Sequence, residues 1–315
     1  MTDSGKSKWI PERVSVLIPA YQAEKTISRT LHSLQQQTYS NSEAIIINDG
    51  SADKTQELLD AFSAGDKRIH AYYQENAGVA AARARALSLA RGEWTLMMDA
   101  DDCLPEDYLM LLTNRAKESG KNLILAGIRY VDEEGEDLGQ IKRPPKGLAG
   151  ADYIHRRLVK LSRQTTLASV FWNKLFKTEK IQDIEFITGR KYDDIFVMHR
   201  LADRFEEIAF EPRALYAYTQ RSQSITHSQK PADRLDIVEA YLLRADYYHK
   251  NQAYSYMDYS LADAYYEYKR ILAQKREKNS DKEKRIRKLY LSLLKKCSRD
   301  SRIRRINLKA RIMLL

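Results

Sequence analysis

Trp94-Thr-Leu-Met-Met-Asp-Ala-Asp-Asp102 runs from a short apolar stretch straight into three carboxylates within four residues. A run this short, bounded by polar or turn residues, reads as a buried strand and not as a helix. The pattern recurs upstream. Val14-Ser-Val-Leu-Ile-Pro-Ala20 leads into Tyr21, Ala44-Ile-Ile-Ile-Asn48 into Asp49-Gly50-Ser51, and Ile69-His-Ala-Tyr-Tyr73 into Glu75-Asn76-Ala77-Gly78. Between them, Glu24 to Gln36, Lys54 to Ala64 and Val79 to Ala90 carry apolar residues at three- and four-residue spacing, which predicts surface helices packed on a sheet. Ser51 is the expected N-cap of the second helix. Strands alternating with helices predict an α/β fold around a mainly parallel sheet. In such sheets ligands bind outside the carboxyl ends of the strands. A lone Asp-Gly there is ordinarily a turn, but four polar strand ends at one edge point to a site.

Composition narrows the class. The chain has 315 residues, 43% of them hydrophobic, with 12 Gly and 7 Pro, so it is globular, with room for one large domain or for one domain of about 230 residues with a smaller appendage. Cys103 and Cys297 are its two cysteines; far apart in sequence, they build neither a disulfide framework nor a four-ligand zinc site, and they fit a reducing cytosol. The N-terminus lacks the apolar stretch of a signal peptide and nowhere do 18 apolar residues run together, so the expectation is a chain that neither crosses a membrane nor is exported.

The net charge of +10 is uneven. From Arg270 onward there are 17 Lys+Arg against 4 Asp+Glu, and before it 36 against 39. Helix Ala151 to Leu161 and strands Ile208 to Phe210 and Ala214 to Tyr218 are expected in the less regular middle. After Pro231 there is no Pro or Gly, which predicts a helical tail. In it Ile286, Leu289, Leu291, Leu293, Leu294, Ile303, Ile306, Leu308, Ile312, Met313 and Leu314 are interleaved with basic residues, as in helices lying in an anionic lipid interface. A bundle with a solvated basic face is the alternative, and nucleic acid the least favoured partner. The Tyr-rich stretch Tyr241 to Tyr268 fits helical packing, an acceptor groove or the interface of a homo-oligomer.

Asp99, Asp101 and Asp102 repel one another unless a cation compensates them. Mg²⁺ or Mn²⁺ takes oxygen ligands, typically one or two carboxylates plus substrate phosphates, which implies a diphosphate ligand. The alternative is an acidic turn capping the helix that starts near Pro105. The apolar run directly before the cluster favours the metal.

The series Ile18-Pro19-Ala20-Tyr21, Asn48-Asp49-Gly50-Ser51, Asn76-Ala77-Gly78 with Ala82-Arg83, and Met98-Asp99-Ala100-Asp101-Asp102 resembles glycosyltransferase family 2 in order and spacing. The resemblance covers roughly residues 13 to 225. It implies an α/β fold of GT-A type, Rossmann-like, with a mixed central sheet flanked by helices and here a C-terminal helical extension. It also implies a nucleotide-sugar donor, a divalent metal and inversion at the anomeric carbon. By resemblance Pro19, Tyr21, Asp49, Asn76 and Arg83 lie around the nucleotide, Asp99 at the ribose and metal, and Asp101 at the metal-bound diphosphate. Where the family often has Ala-Arg-Asn-x-Gly, this chain has Ala82-Arg83-Ala84-Arg85-Ala86, so the contact attributed to that Asn is not carried over.

Tyr192-Asp193-Asp194-Ile195-Phe196 resembles the family's Glu-Asp pair, which makes Asp194 the general base and Asp193 an acceptor contact one methylene shorter than the commoner Glu. Phe171-Trp172-Asn173-Lys174 resembles the aromatic segment in which Trp packs beside the acceptor; a core strand explains it as well. Tyr216 to Ile225 resembles the closing segment near the diphosphate. Arg221 suits two phosphate oxygens at once, and His227 is a weaker candidate. Processive relatives carry Gln-x-x-Arg-Trp and membrane helices; this chain has no Arg-Trp pair.

The expected organisation is thus a catalytic domain over residues 1–230 and a basic helical region over 231–315. The expected activity is a non-processive, metal-dependent transfer of a hexose or N-acetylhexosamine from a UDP-sugar to a bacterial surface glycan on a lipid carrier, or to a glycoprotein. The expected location is the cytoplasm, peripheral on the inner face of the membrane through residues 270–315. Two rivals are a nucleotidyltransferase, which needs a Gly- and basic-rich loop that Pro19-Ala-Tyr-Gln-Ala-Glu24 lacks, and a sugar-nucleotide-binding protein without transferase activity.

Overall fold

The computed structural model describes residues 8–150, 152–159, 166–221, 231–273 and 280–299. The chain divides into two compact units, one of Met1–Asp152, Val170–Gly189 and Arg200–Arg221, the other of Tyr153–Ser169, Arg190–His199 and Ser222–Leu315.

The first unit is built on β1 (Ile10–Ala20), β2 (Ser42–Asp49), β3 (Ile69–Gln74) and β4 (Gly92–Met97), parallel neighbours in the order β3-β2-β1-β4. Val14, Val16, Leu17 and Ile18 of β1 and Ile45, Ile46 and Ile47 of β2 are all buried. Strands covered on both faces need such continuous apolar runs. The connecting helices α1 (Ile27–Gln35), α2 (Thr55–Gly65) and α3 (Val79–Leu89) overlap the spans that their spacing predicts, and α3 packs on β1 and β2.

After α4 (Tyr108–Ser119), the sheet continues with strands that the alternating pattern does not announce: β5 (Leu123–Val131), β6 (Asp137–Lys142), β7 (Leu148–Gly150) and β8 (Lys174–Lys177). β8 runs antiparallel between β4 and β5, so the sheet is mixed, in the order β3-β2-β1-β4-β8-β5-β9-β7 with β6 on β5. β9 (Glu207–Thr219) joins the two strands expected at 208–210 and 214–218. Its register against β5 shifts between Ala126 and Gly127, and this irregularity accommodates Pro212 within a strand.

The cap of α2 differs from expectation. Ser51 Oγ instead accepts the Gln22 amide at 3.0 Å, and Asp53 Oδ1 accepts the Thr55 amide at 3.1 Å and the Thr55 hydroxyl at 2.6 Å. Ser51 is drawn into the turn by its own amide, which donates to Asn48 Oδ1 at 3.0 Å, leaving Asp53 beside the helix start.

In the second unit, α8 (Pro231–Lys250), α9 (Tyr254–Leu272) and α10 (Ser280–Arg299) share a core of Leu235, Leu242, Met257, Leu261, Tyr290 and Leu293 with others. α5 (Asp152–Val159), α6 (Thr166–Ser169) and the start of α7 (Asp193–Ala202) complete it. Of the two readings of the tail, lipid interface or packed bundle, Ile286 and Leu293 follow the second: both are buried in the core shared with α8 and α9. Their i, i+7 spacing suits either surface, and a neighbouring apolar helix supplies the burial. The outward face of α10 carries Lys284, Arg287, Lys288 and Lys295 around the exposed Leu291. Ile303, Ile306, Leu308, Ile312, Met313 and Leu314 lie outside the described residues, as does the Leu294 side chain. The Tyr-rich stretch is partly core: Tyr248 is buried with its hydroxyl 2.8 Å from His155 Nδ1, while Tyr259 and Tyr266 are exposed. No helix among the described residues is long and apolar enough to cross a membrane.

Candidate active site

The carboxyl ends of β1 to β4 carry Pro19, Tyr21, Asp49, Asn76, Asp99 and Asp101, while Arg83 comes from α3, Trp172 from the segment before β8 and Arg221 from just past the end of β9. Pro19 is the last residue but one of β1, and Tyr21 just beyond the strand is 55% exposed, offering an open aromatic face. The turn after β1 is tied to the turn after β2: beyond the Gln22–Ser51 bond, the Ala23 amide donates to Thr55 Oγ1 at 2.9 Å and the Glu24 amide to Asp53 Oδ2 at 3.1 Å.

Asp49 ends β2 and is buried. Its Oδ1 accepts the Ala77 amide at 2.9 Å and Gln74 Nε2 at 2.7 Å, and its Oδ2 accepts the Gly78 amide at 2.8 Å. The carboxylate therefore shapes the loop after β3. Asn76 in that loop is exposed, and its Nδ2 donates to the Asp49 carbonyl at 3.0 Å. Gly50 has φ +73°, and a Cβ there would meet the Asn76 amide nitrogen at 2.7 Å, so the two loops approach too closely for a side chain.

The three carboxylates after β4 separate. Asp99 Oδ1 accepts Arg83 Nη2 at 2.5 Å, and the Arg83 guanidinium, itself buried, lies over the Phe171 ring. Asp101 is one-third exposed, and Arg221 Nη1 reaches its Oδ2 at 3.3 Å. Asp102 points inward and is fully buried, accepting the Tyr216 hydroxyl at 2.8 Å and the Thr219 amide at 2.8 Å. Burial first, and then the charges of Asp101 and Asp99, push its carboxyl well above the usual range. Asp102 thereby fastens the loop to β9. Trp172 is 5% exposed and stacks on Tyr216 at 4.5 Å and Tyr218 at 4.7 Å, so it buttresses the tyrosine that holds Asp102 and also accepts the Asp99 amide at 3.3 Å.

No group of three or more acidic, His or Cys side chains fit to hold a metal occurs among the described residues. The donor set nevertheless suits a hard divalent ion bound in part by substrate. Asp101 is accessible and its Oδ1 accepts no hydrogen bond among the described residues, while the diphosphate and water would complete the shell.

Asp193 and Asp194 belong to the second unit, in the first turn of α7, where the helix dipole favours negative charge. Tyr192, directly before them, adopts φ +61°, a conformation costly for a bulky residue. The preceding residues are anchored on α8: Arg190 Nε meets Glu239 at 2.8 Å, Lys191 Nζ meets Asp233 at 2.8 Å, and the Lys191 amide donates to Asp236 at 3.2 Å. From α10, Lys282 and Arg285 pair with the same Asp236 and Glu239 at 2.5 and 2.8 Å. His227 lies outside the described residues.

The family model for "Glycosyl transferase family 2" matches residues 15–203. The chain belongs to glycosyltransferase family 2. It is a glycosyltransferase that moves a sugar from a nucleotide-sugar donor. A curated relative, "Glycosyltransferase GlyG" of Streptococcus pneumoniae serotype 4, is 30% identical over 73% of this chain and 78% of its own. Among solved structures, S. aureus TarS 1-349 in complex with UDP-GlcNAc superposes with a TM-score of 0.59 at 19% identity, covering 79% of this chain and 73% of that one. The mannosyltransferase PcManGT from Pyrobaculum calidifontis, in complex with GDP-Man and Mn²⁺, gives 0.52 at 15% identity over 84% and 76%. These similarities establish the GT-A-like fold.

In this glycosyltransferase the motifs leave three holders of the acidic loop unassigned: Arg29 lies outside every motif, and Tyr216 and Thr219 lie in the segment read as closing on the diphosphate, with no role of their own. Arg29 on α1 donates to the Asp101 carbonyl, and Tyr216 and Thr219 on β9 hold Asp102. The latter two lie more than a hundred residues from their partner, beyond the reach of any local pattern.

Proposed function

We propose that this glycosyltransferase transfers a hexosyl or N-acetylhexosaminyl group from a UDP-sugar to a hydroxyl of a bacterial surface glycan, on a lipid carrier or a glycoprotein, one sugar per encounter and with inversion. The observation that carries the reading is the one-third-exposed Asp101 carboxylate, paired with Arg221 at 3.3 Å at the carboxyl edge of the sheet, beside the similarly exposed Asp99, which is held tightly by the buried Arg83. Tyr21 supplies an aromatic face for the base, and Asp49 shapes the Asn76 loop around the nucleotide. Arg221 leaves Asp101 for the diphosphate oxygens, where a guanidinium binds two at once. Asp194 takes the acceptor proton as its oxygen attacks the anomeric carbon, and Asp193 orients that hydroxyl. A divalent ion, Mn²⁺ or Mg²⁺, held by Asp101 with Asp99 nearby, would neutralise charge on the departing nucleoside diphosphate. Trp172 acts through Tyr216, keeping the acidic loop in place.

The bacterial-glycan acceptor is supported by similarity to the "Putative teichuronic acid biosynthesis glycosyltransferase TuaG" of Bacillus subtilis, 31% identical over 49% of this chain and 61% of its own, and by the basic outward face of α10, which suits the anionic inner surface of a membrane. A panel of UDP-, GDP- and dTDP-sugars incubated with the enzyme and Mn²⁺ tests the donor assignment. Consumption of one UDP-hexose or UDP-N-acetylhexosamine is expected; turnover confined to GDP- or dTDP-sugars overturns the uridine assignment. With an acceptor in hand, undiminished transfer by Asp194→Asn overturns the base assignment.

A further inference from the structure

Arg29 stands apart from every motif, yet it grips the acidic loop. Its Nη1 donates to the Glu133 carbonyl at 2.6 Å, and its Nη2 to the Asp101 carbonyl at 3.1 Å and Thr219 Oγ1 at 3.0 Å. The next residue on α1 adds a fourth tie, Thr30 Oγ1 donating to the Ala100 carbonyl at 3.0 Å. One guanidinium thus fastens three chain segments: the loop after β4, the end of β9 and the turn between β5 and β6. Its fixed fork of donors makes this possible, and no other side chain offers that geometry.

Those hydrogen-bond acceptors are neutral. Arg83 is paired with Asp99, Arg221 with Asp101 and Arg68 with Asp66, but Arg29 meets no carboxylate among the described residues. An ion pair for stability would have placed an acid here. A permanent cation is instead placed on one carbonyl of the loop that carries Asp101, one carbonyl of the turn between β5 and β6, and the hydroxyl of a residue two positions before Arg221.

We propose that Arg29 is a positioning residue for metal-assisted donor binding: it fixes the backbone of Asp101 and the β9 end leading to Arg221, so that carboxylate and guanidinium are set for a divalent ion and a nucleoside diphosphate. The proposal rests on the reading of Asp101 given above. Asp102 secures the same loop from within through Tyr216 and Thr219. Loss of Arg29 therefore loosens the loop on one side without releasing it, and the variant keeps the fold.

The test is calorimetric titration of UDP into the full chain, with and without Mn²⁺, for the wild type, Arg29→Met, Arg29→Lys and Asp101→Asn. The reading of Asp101 requires Mn²⁺ to tighten UDP binding in the wild type and much less in Asp101→Asn; failure there removes the premise. With the premise intact, Arg29→Met should lose about tenfold or more of the Mn²⁺-dependent gain, as outer partners of metal ligands do, while UDP alone changes far less. General loss of structure would lower both affinities together. Arg29→Lys, with charge but no fork, should fall between. A Mn²⁺-dependent gain in Arg29→Met within about twofold of wild type overturns the proposal, and if that variant does not fold, the same outcome in Arg29→Lys does so.

Discussion

At the residue scale, like residues part company according to what passes behind them. Asp99, Asp101 and Asp102 look equivalent in sequence, yet Asp99 is held at 2.5 Å by the buried Arg83, Asp101 more loosely at 3.3 Å by Arg221, and Asp102 is sealed against β9. The sequence identifies the acidic cluster, but the contacts that sort its members come from Tyr216 and Thr219, far along the chain. Gly50 is the reverse case, legible as a turn residue but demanded by the approach of Asn76. Gly50→Ala should lower stability by roughly 1–3 kcal/mol, read by urea denaturation, since it combines a left-handed backbone with a clash against main chain. Asp66 offers a pH test. Arg68, at 2.7 Å, holds its carboxyl below the usual value. The native state thus binds that proton less tightly than the unfolded chain, so the contribution is present above the unfolded pKa and lost as pH falls through the lowered one. Asp66→Asn should flatten the acid limb of the stability profile and leave no difference from wild type at the lowest pH.

At the element scale, the parallel strands and their helices were legible because β1, β2 and β4 carry short apolar runs, β3 is a short segment bounded by turn residues, and each helix keeps its spacing. β7 and β8 have three and four residues, and β8 is inserted between β4 and β5 by pairing at long range. No local period marks such pieces. β5 opens on the apolar residues Leu123 to Ala126, which the sequence reading does not single out, and only its partners define the mixed order. For α10 the spacing was legible and the occupant of its apolar face was not. Leu293→Ala should destabilise the second unit by about 2–5 kcal/mol, measured by denaturation followed in that unit, because it empties a site closed on α8 and α9. Replacing Lys284, Arg287 and Lys288 with Glu on the outward face should leave that transition nearly unchanged and reduce flotation with vesicles containing anionic lipid. Flotation equal to wild type would remove α10 from the account of membrane binding.

At the scale of the whole molecule, the +10 charge is the sum of unlike parts. The carboxylates proposed to handle the donor sit in a sequence that is slightly acidic up to Arg270, and the excess of cations lies beyond it. Arginines do more than set that balance: Arg83 and Arg221 neutralise the acidic loop, Arg29 fastens it, and Arg190 anchors the segment before Asp194. In the proposed mechanism one carboxylate, Asp101, shares a divalent ion with the donor's diphosphate in place of an all-protein cage. Electron paramagnetic resonance of Mn²⁺ titrated into the protein, with and without UDP, tests it directly. The account predicts weak Mn²⁺ binding alone, binding strengthened by UDP, and loss of that strengthening in Asp101→Ala; tight binding without nucleotide, or undiminished strengthening in Asp101→Ala, would contradict it.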